Sequence, residues 1–162
     1  MLARSRIAPC LWFDHNAEEA VRFYTGIFPD SRIGAISHYG KAGFEHHGMP
    51  AGTVLTVMFE LDGQTFTALN GGPAFRFNEA VSLQVFCDTQ AEIDRYWAAL
   101  GAGGDPAAQQ CGWLRDRFGL SWQVVPAMLP ALLTSPEPGK AERALQAIMG
   151  MRKLDIAALE NA

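Results

Sequence analysis

One stretch of this chain is written twice, 73 residues apart (89 − 16), and no other feature constrains the fold as strongly. Asn16-x-x-Glu19 and Thr89-x-x-Glu92 both have the form of a capping box, in which the first side chain accepts a backbone N–H and the Glu reaches back to the cap. At the same shift Ala20 meets Ile93, Phe23 meets Tyr96, Tyr24 meets Trp97 and Ile27 meets Leu100. Each box therefore opens an amphipathic helix with apolar positions at i, i+3, i+4 and i+7. Each helix follows an apolar, strand-like run, and each half closes with a hairpin-like pair of runs. The expected fold class is α+β, with two β-α-β-β-β modules forming a curved mixed sheet around a cavity, plus C-terminal helices.

At 162 residues, a single domain spanning residues 1–126 fits this pattern, its modules at about 7–73 and 80–126. Residues 127–162 form a helical extension. Strands are expected at 7–13, 32–39, 53–61, 64–69, 80–87, 111–117 and 120–125, with one more, weakly marked, inside the Gly- and Ala-rich segment 101–110. Helices are expected at 17–28 and 91–100. Asp62-Gly63 joins two β-rich runs and is the strongest hairpin signal in the chain. Residues 40–52, with four glycines, a proline and His46-His47, read as a mobile loop. In the tail, Ala141, Ala144, Leu145, Ile148 and Met149 form an apolar stripe that ends at Gly150, and a last helix is expected over 153–160. Such a stripe needs cover, either from its own sheet or from a second subunit.

Thirteen Lys and Arg stand against 17 Asp and Glu with no long basic run, which argues against nucleic acid as a partner. No apolar run approaches the roughly 18 residues of a membrane span. Cys10, Cys87 and Cys111 are odd in number and widely spaced, so free thiols in a cytoplasmic protein are expected.

Strand alternation sorts the side chains. Val81, Leu83, Val85, Phe66, Ala68, Trp122 and Val124 belong under the helices. Thr65, Thr67, Ser82, Gln84, Ser121 and Gln123 belong on the opposite face, where enclosed polar groups need each other, water or a ligand. None of these six is ionisable, which favours binding over acid–base chemistry. Trp113, which follows a glycine, is the aromatic expected to reach the cavity, whereas Trp12, Trp97 and Trp122 read as core. The candidate ligand-binding set is thus Thr67, Ser82, Gln84, Trp113 and Gln123. His15, His38 and the His46-His47 pair read as surface or loop residues. Cys87 and Cys111 read as packing, and Asp116 and Arg117 as exposed.

Several strings carry a resemblance to a known family. They are Asp14-His15-Asn16-Ala17-Glu18-Glu19-Ala20-Val21-Arg22-Phe23-Tyr24, Phe59-Glu60-Leu61-Asp62-Gly63-Gln64, Leu69-Asn70-Gly71-Gly72-Pro73, Cys111-Gly112-Trp113-Leu114 and Gly119-Leu120-Ser121-Trp122-Gln123-Val124-Val125-Pro126. With the paired modules, they resemble the vicinal-oxygen-chelate superfamily of glyoxalase I, extradiol dioxygenases and bleomycin-resistance proteins. Within it they are similar to the PhnB-like subfamily labelled "3-demethylubiquinone-9 3-methyltransferase".

The resemblance implies metal ligands at Pro9, Thr67, Ser82 and Gln123. These are poor donors for a divalent cation, so neither a metal nor another cofactor is expected. No Gly-x-Gly turn follows a strand, and the label therefore names a family, not a methyl transfer read from these residues. The resemblance implies a homodimer that binds a small molecule. The function expected is small-molecule binding without an intact metal site. The alternative is a metal-independent enzyme of the same superfamily acting on a small carbonyl or aromatic substrate.

Overall fold

A computed structural model describes residues 6–162, which divide into two compact units between Arg76 and Phe77. In the first unit the order is β1 (Cys10–Phe13), α1 (Ala17–Ile27), β2 (Arg32–His38), a one-turn helix α2 (Phe44–His47), β3 (Val54–Leu61) and β4 (Gln64–Asn70). The sheet runs β1-β4-β3-β2, with β1 parallel to β4 and the other pairs antiparallel. Asp62 and Gly63 both take positive φ (48° and 77°), the turn geometry whose twist matches a two-residue hairpin. Leu11, Phe13, Val57, Phe59, Phe66 and Ala68 are buried on the face that meets Ala20, Val21 and Tyr24 of α1.

The first capping box does not form. Asn16 sits at φ −116°, ψ 26°, outside the extended region a cap requires, and its side chain makes no cap bond. The Ala17 N–H donates instead to Asn70 Oδ1 at 2.9 Å, across the unit from the end of β4. Asn70 is buried; its Nδ2 donates to the Val54 carbonyl at 3.0 Å, and its own carbonyl accepts the Tyr39 hydroxyl at 2.6 Å. The segment 40–52, expected as a mobile loop, carries α2 and is tied by His47. Its Nδ1 accepts the Met49 N–H at 2.9 Å, and its ring lies 4.6 Å from that of Tyr39.

The second unit runs β5 (Ser82–Cys87), α3 (Gln90–Gly101), a 3₁₀ turn (Pro106–Ala108), β6 (Trp113–Arg115), β7 (Ser121–Pro126), α4 (Leu129–Leu133), α5 (Lys140–Met149) and α6 (Ile156–Glu160). The sheet order is β5-β7-β6, with β5 and β7 parallel. Here the capping box is complete: Thr89 is extended (φ −128°, ψ 156°) and accepts the Glu92 N–H at 3.2 Å, while Glu92 reaches back to the Thr89 N–H.

Two of the strand expectations fail in this unit. The strand sought in 101–110 is replaced by the 3₁₀ turn, since Pro106 has no N–H for a ladder and Asp105 Oδ1 accepts the Ala107 N–H at 2.9 Å. Val81 lies outside β5 and is exposed, because the strand begins one residue later. The C-terminal helices bury Leu132, Ala144, Ile148, Leu154 and Leu159 in one cluster with Val125 of β7.

The registers also refine the repeat. Cys10 pairs with Thr67 in one unit as Gln84 pairs with Gln123 in the other, so the first strands correspond at a shift of 74 (84 − 10), not 73. The extra residue lies in the turn between β1 and α1. Since side chains alternate along a strand, this one-residue difference decides which face each position occupies.

A candidate ligand groove in the second unit

Register fixes the side chains on the sheet face away from α3. Ser82 faces Ser121 and Gln84 faces Gln123 across the parallel pair; Trp113 faces Gln123 and Arg115 faces Ser121 across the antiparallel one. Gln84, Gln123 and Trp113 thus form one cross-strand row, on strands ~4.8 Å apart. Gln123 Nε2 donates to Ser82 Oγ at 2.8 Å, so the amide is held by a hydroxyl of the next row and not by Gln84, which is exposed.

Beside this row lies a groove of about 410 Å³ lined by Glu79, Gln110, Cys111, Trp113, Arg115 and Ser121, among others. Its volume is that of a small-molecule site. Trp113 enters it from a two-residue turn in which Cys111 (φ 54°) and Gly112 (φ 81°) are both left-handed, closed by paired bonds between Gln110 and Trp113 at 3.0 and 2.8 Å. A positive φ at a non-glycine residue is uncommon and here sets the Cys111 side chain at the groove. Among the described residues the Trp113 indole N–H has no hydrogen-bond partner, which leaves a donor beside a flat apolar face. Arg115 reaches Asp105 Oδ2 at 3.0 Å and Glu79 Oε1 at 3.4 Å, so a guanidinium and its two carboxylates stand at the groove's edge.

Of the five sequence-derived binding residues, Trp113 lines the groove, and Ser82, Gln84 and Gln123 lie on the same face of the same sheet. Thr67 belongs to β4 of the first unit, in register with Cys10 and Met58. Alternation within single strands passed over two ionisable groups on the faces opposite the helices. Arg115 is two residues from Trp113 on β6, and Glu60 is two residues from Met58 on β3, in register with Thr65. Glu60 is buried and accepts a bond from Arg32 Nε at 2.7 Å. The signal was present in the sequence, because Thr56, Met58 and Glu60 alternate with Val57, Phe59 and Leu61.

Asp116, expected to be exposed, is buried. Its Oδ1 accepts the N–H groups of Phe118 and Leu120 at 2.8 and 3.1 Å, and its Oδ2 accepts the Trp122 indole N–H at 2.8 Å. It orders the β6–β7 turn. Trp12, expected in the core, alternates with Leu11 and Phe13 and so lies on the face away from α1; its Nε1 donates to the Gly72 carbonyl at 2.9 Å and Phe75 packs edge-on at 4.9 Å. Cys87 is buried at the helix end of β5, and that burial, with the nearby Glu92 and Asp88 carboxylates, pushes its thiol up to about 11 against the lowering effect of Arg95. A thiol held protonated is a poor nucleophile.

The donors at the implied metal positions do not suit a divalent cation. With the strand shift at 74, the residue matching Ser82 is Ala8 and not Pro9 (82 − 74), and neither side chain can ligate. Thr67 and Ser82 offer neutral hydroxyls, and Gln123 an amide already bonded to Ser82. Among the described residues no group of three His, Cys, Asp or Glu side chains is placed to share a metal. No described helix is long and apolar enough to cross a membrane.

Comparison with known proteins adds the following. The sequence matches the family described as 3-demethylubiquinone-9 3-methyltransferase over residues 5–125. A PhnB protein from Bacillus cereus is 36% identical with a TM-score of 0.64, the alignment covering 76% of this chain and 100% of that one. A crystal structure of a Pseudomonas aeruginosa protein shares the fold at 24% identity and a TM-score of 0.56, over 74% of this chain and 96% of that one. A glyoxylase/bleomycin resistance protein/dioxygenase domain from Frankia sp. aligns at 15% identity and a TM-score of 0.45, over 76% and 93% of the two chains. No curated protein matches.

Proposed function

The chain belongs to the PhnB-like family described as 3-demethylubiquinone-9 3-methyltransferase, within the vicinal-oxygen-chelate superfamily, and from that membership we propose that it is a small-molecule binding protein working without a metal. The observation that carries this reading is the groove at Trp113. An indole face with a spare N–H beside the Gln110 amide and the Ser121 hydroxyl, with the Arg115 guanidinium neutralised at the edge by Glu79 and Asp105, suits a planar, neutral aromatic or carbonyl compound. Gln123 continues the row of Trp113, with Gln84 at its exposed end, and Ser82 stands in the next row.

Titration calorimetry with neutral aromatic carbonyl compounds, coumarin and benzamide among them, tests the reading. Trp113→Ala should weaken any hit by about 1–3 kcal/mol with little change in melting temperature. Failure of the whole panel to bind, or binding indifferent to Trp113→Ala, sinks it. Elemental analysis of untagged protein should find zinc, nickel, manganese and iron well below one equivalent.

The enzyme alternative is favoured by one observation: the Arg115 guanidinium lines the groove, where it could polarise a substrate carbonyl. Turnover of a bound carbonyl compound that is lost in Arg115→Met would select that reading. We further propose a cytoplasmic homodimer. Leu145 and Met149 on α5 stay more than half exposed while Ala144 and Ile148 are covered, and a second copy would cover the exposed half of the stripe. A monomer by light scattering across the micromolar range would refute the dimer.

A further inference from the structure

The segment that walls the groove is braced from behind by C-terminal residues that lie beyond the family match. The family match ends at residue 125, yet the backbone carbonyls of residues 151 and 152 bond to the segment that forms the wall. The Met151 carbonyl accepts the Cys111 N–H and the Arg152 carbonyl accepts the Gly112 N–H, both at 2.8 Å. These are the two left-handed residues of the turn that delivers Trp113.

Leu154 is fully buried against Gly112, where an added Cβ would stand 3.0 Å from its side chain. Two residues earlier, Arg152 Nη2 donates to the Pro106 carbonyl at 2.7 Å and to Gln109 Oε1 at 3.2 Å, holding the 3₁₀ turn whose Ala108 also lines the groove. Gln90 of α3 anchors the segment from the other side. Its Nε2 donates to the Leu154 carbonyl at 3.1 Å, and its Oε1 accepts the Ile156 N–H at 2.9 Å, as a neighbouring strand would.

We infer that residues 151–156 are a strap that positions the groove wall, with Arg152 and Gln90 as positioning residues that hold the 106–113 segment and hence Trp113 in its binding orientation. The inference rests on the groove being the ligand site. A left-handed turn at a non-glycine residue is conformationally costly, so the turn should relax when the bonds that over-determine it are removed. Neither Arg152 nor Gln90 lines the groove, and both act through the backbone they hold.

The test uses the full chain and needs no ligand. In a Cys10→Ser background, which removes the exposed thiol, the rate of Cys111 labelling by a maleimide reports the turn, because Cys87 is buried. The ¹H–¹⁵N indole resonance of Trp113, assigned with Trp113→Phe, reports the side chain, and that of Trp122 serves as a core control. Gln90→Ala and Arg152→Met should each raise the labelling rate about tenfold and broaden or shift the Trp113 signal while Trp122 stays in place, as loss of two hydrogen bonds from a locally opening segment predicts. Arg152→Lys should restore part of the wild-type rate. Wild-type labelling and an unmoved Trp113 signal in both variants would overturn the strap. So would joint collapse of the Trp113 and Trp122 signals, since the segment would then be a general prop of the fold. Coumarin and benzamide titrations of the same variants separate this from the ligand reading: a strap that behaves as stated in a protein binding no compound of the panel removes the ligand and keeps the strap.

Discussion

The two helices that open the two units start from the same four-residue pattern and are held in different ways. At α3, Thr89 is extended and trades bonds with Glu92 within four residues of chain. At α1, Asn16 is displaced from the extended region by the longer turn behind it, where Asp14 and His15 pair with each other, and the cap comes from Asn70, 53 residues along the sequence. A local cap makes a helix start a property of its own segment. A distant cap makes it a property of the folded unit, because α1 is satisfied only when β4 is in place. The first unit, with one more turn residue, has the second kind, and the second unit has the first.

That contrast can be broken most easily at Asn70. Asn70→Ala removes the cap of α1 and the partner of the Val54 carbonyl together, in a buried position, and should cost about 2–4 kcal/mol in denaturant unfolding. A cost below that of an ordinary cap would mean that Asn16 can take over.

Next in size is a difference in pH response. Phe13 and Cys87 occupy corresponding buried positions at the strand shift of 74 (87 − 13), but only Cys87 can ionise. Its thiol is raised from 9.0 to about 11, chiefly by burial. The unfolded thiol therefore loses its proton first, and stability present below pH 9 drains away as pH rises toward 11. Wild type should lose roughly 2 kcal/mol more than Cys87→Val over that interval. Parallel loss in both proteins would assign the alkaline effect elsewhere.

Thr89→Ala should cost about 1 kcal/mol, the ordinary worth of a local N-cap. The smallest effect is expected at Asn16→Ala, within a few tenths of a kcal/mol, since that side chain makes no cap bond. A loss at Asn16 equal to the loss at Thr89 would show the two boxes to be alike in solution and end the comparison.

Much of the fold was legible in the sequence because it is written locally. The helix stripes, the Asp62-Gly63 turn and the Thr89 box each depend on neighbours a few residues away, and the elements lie where those signals put them. What could not be read locally went astray. The shift of 73 holds for the helix starts, and only strand register reveals the 74 of the strands, which moves the implied ligand position from Pro9 to Ala8. Asp116 looks like a turn residue, and burial follows only from its bonds to Leu120 and the Trp122 indole. At the groove, Trp113 was found from its glycine neighbour. Arg115 was passed over because β6 is three residues long and shows no alternation to count. The strap was invisible, since nothing in Met151-Arg152-Lys153-Leu154 announces a bond to Cys111 or Gly112.

Each sheet is completed by a parallel pair that joins its first strand to its last, and this bears on how the chain emerges during synthesis. Antiparallel hairpins such as β3–β4 can close as soon as both arms are made. Strand β1 must wait for Thr67 to pair with Cys10, an interval of 57 residues (67 − 10), while β5 waits 39 for Ser121 to pair with Ser82 (121 − 82). Through the longer wait, the newborn β1 carries Leu11 and Phe13 with no sheet to receive them. The nascent first unit thus spends longer with an unmatched sticky strand than the second, and a chaperone that binds short apolar segments would find its target there before it found one anywhere later in the chain.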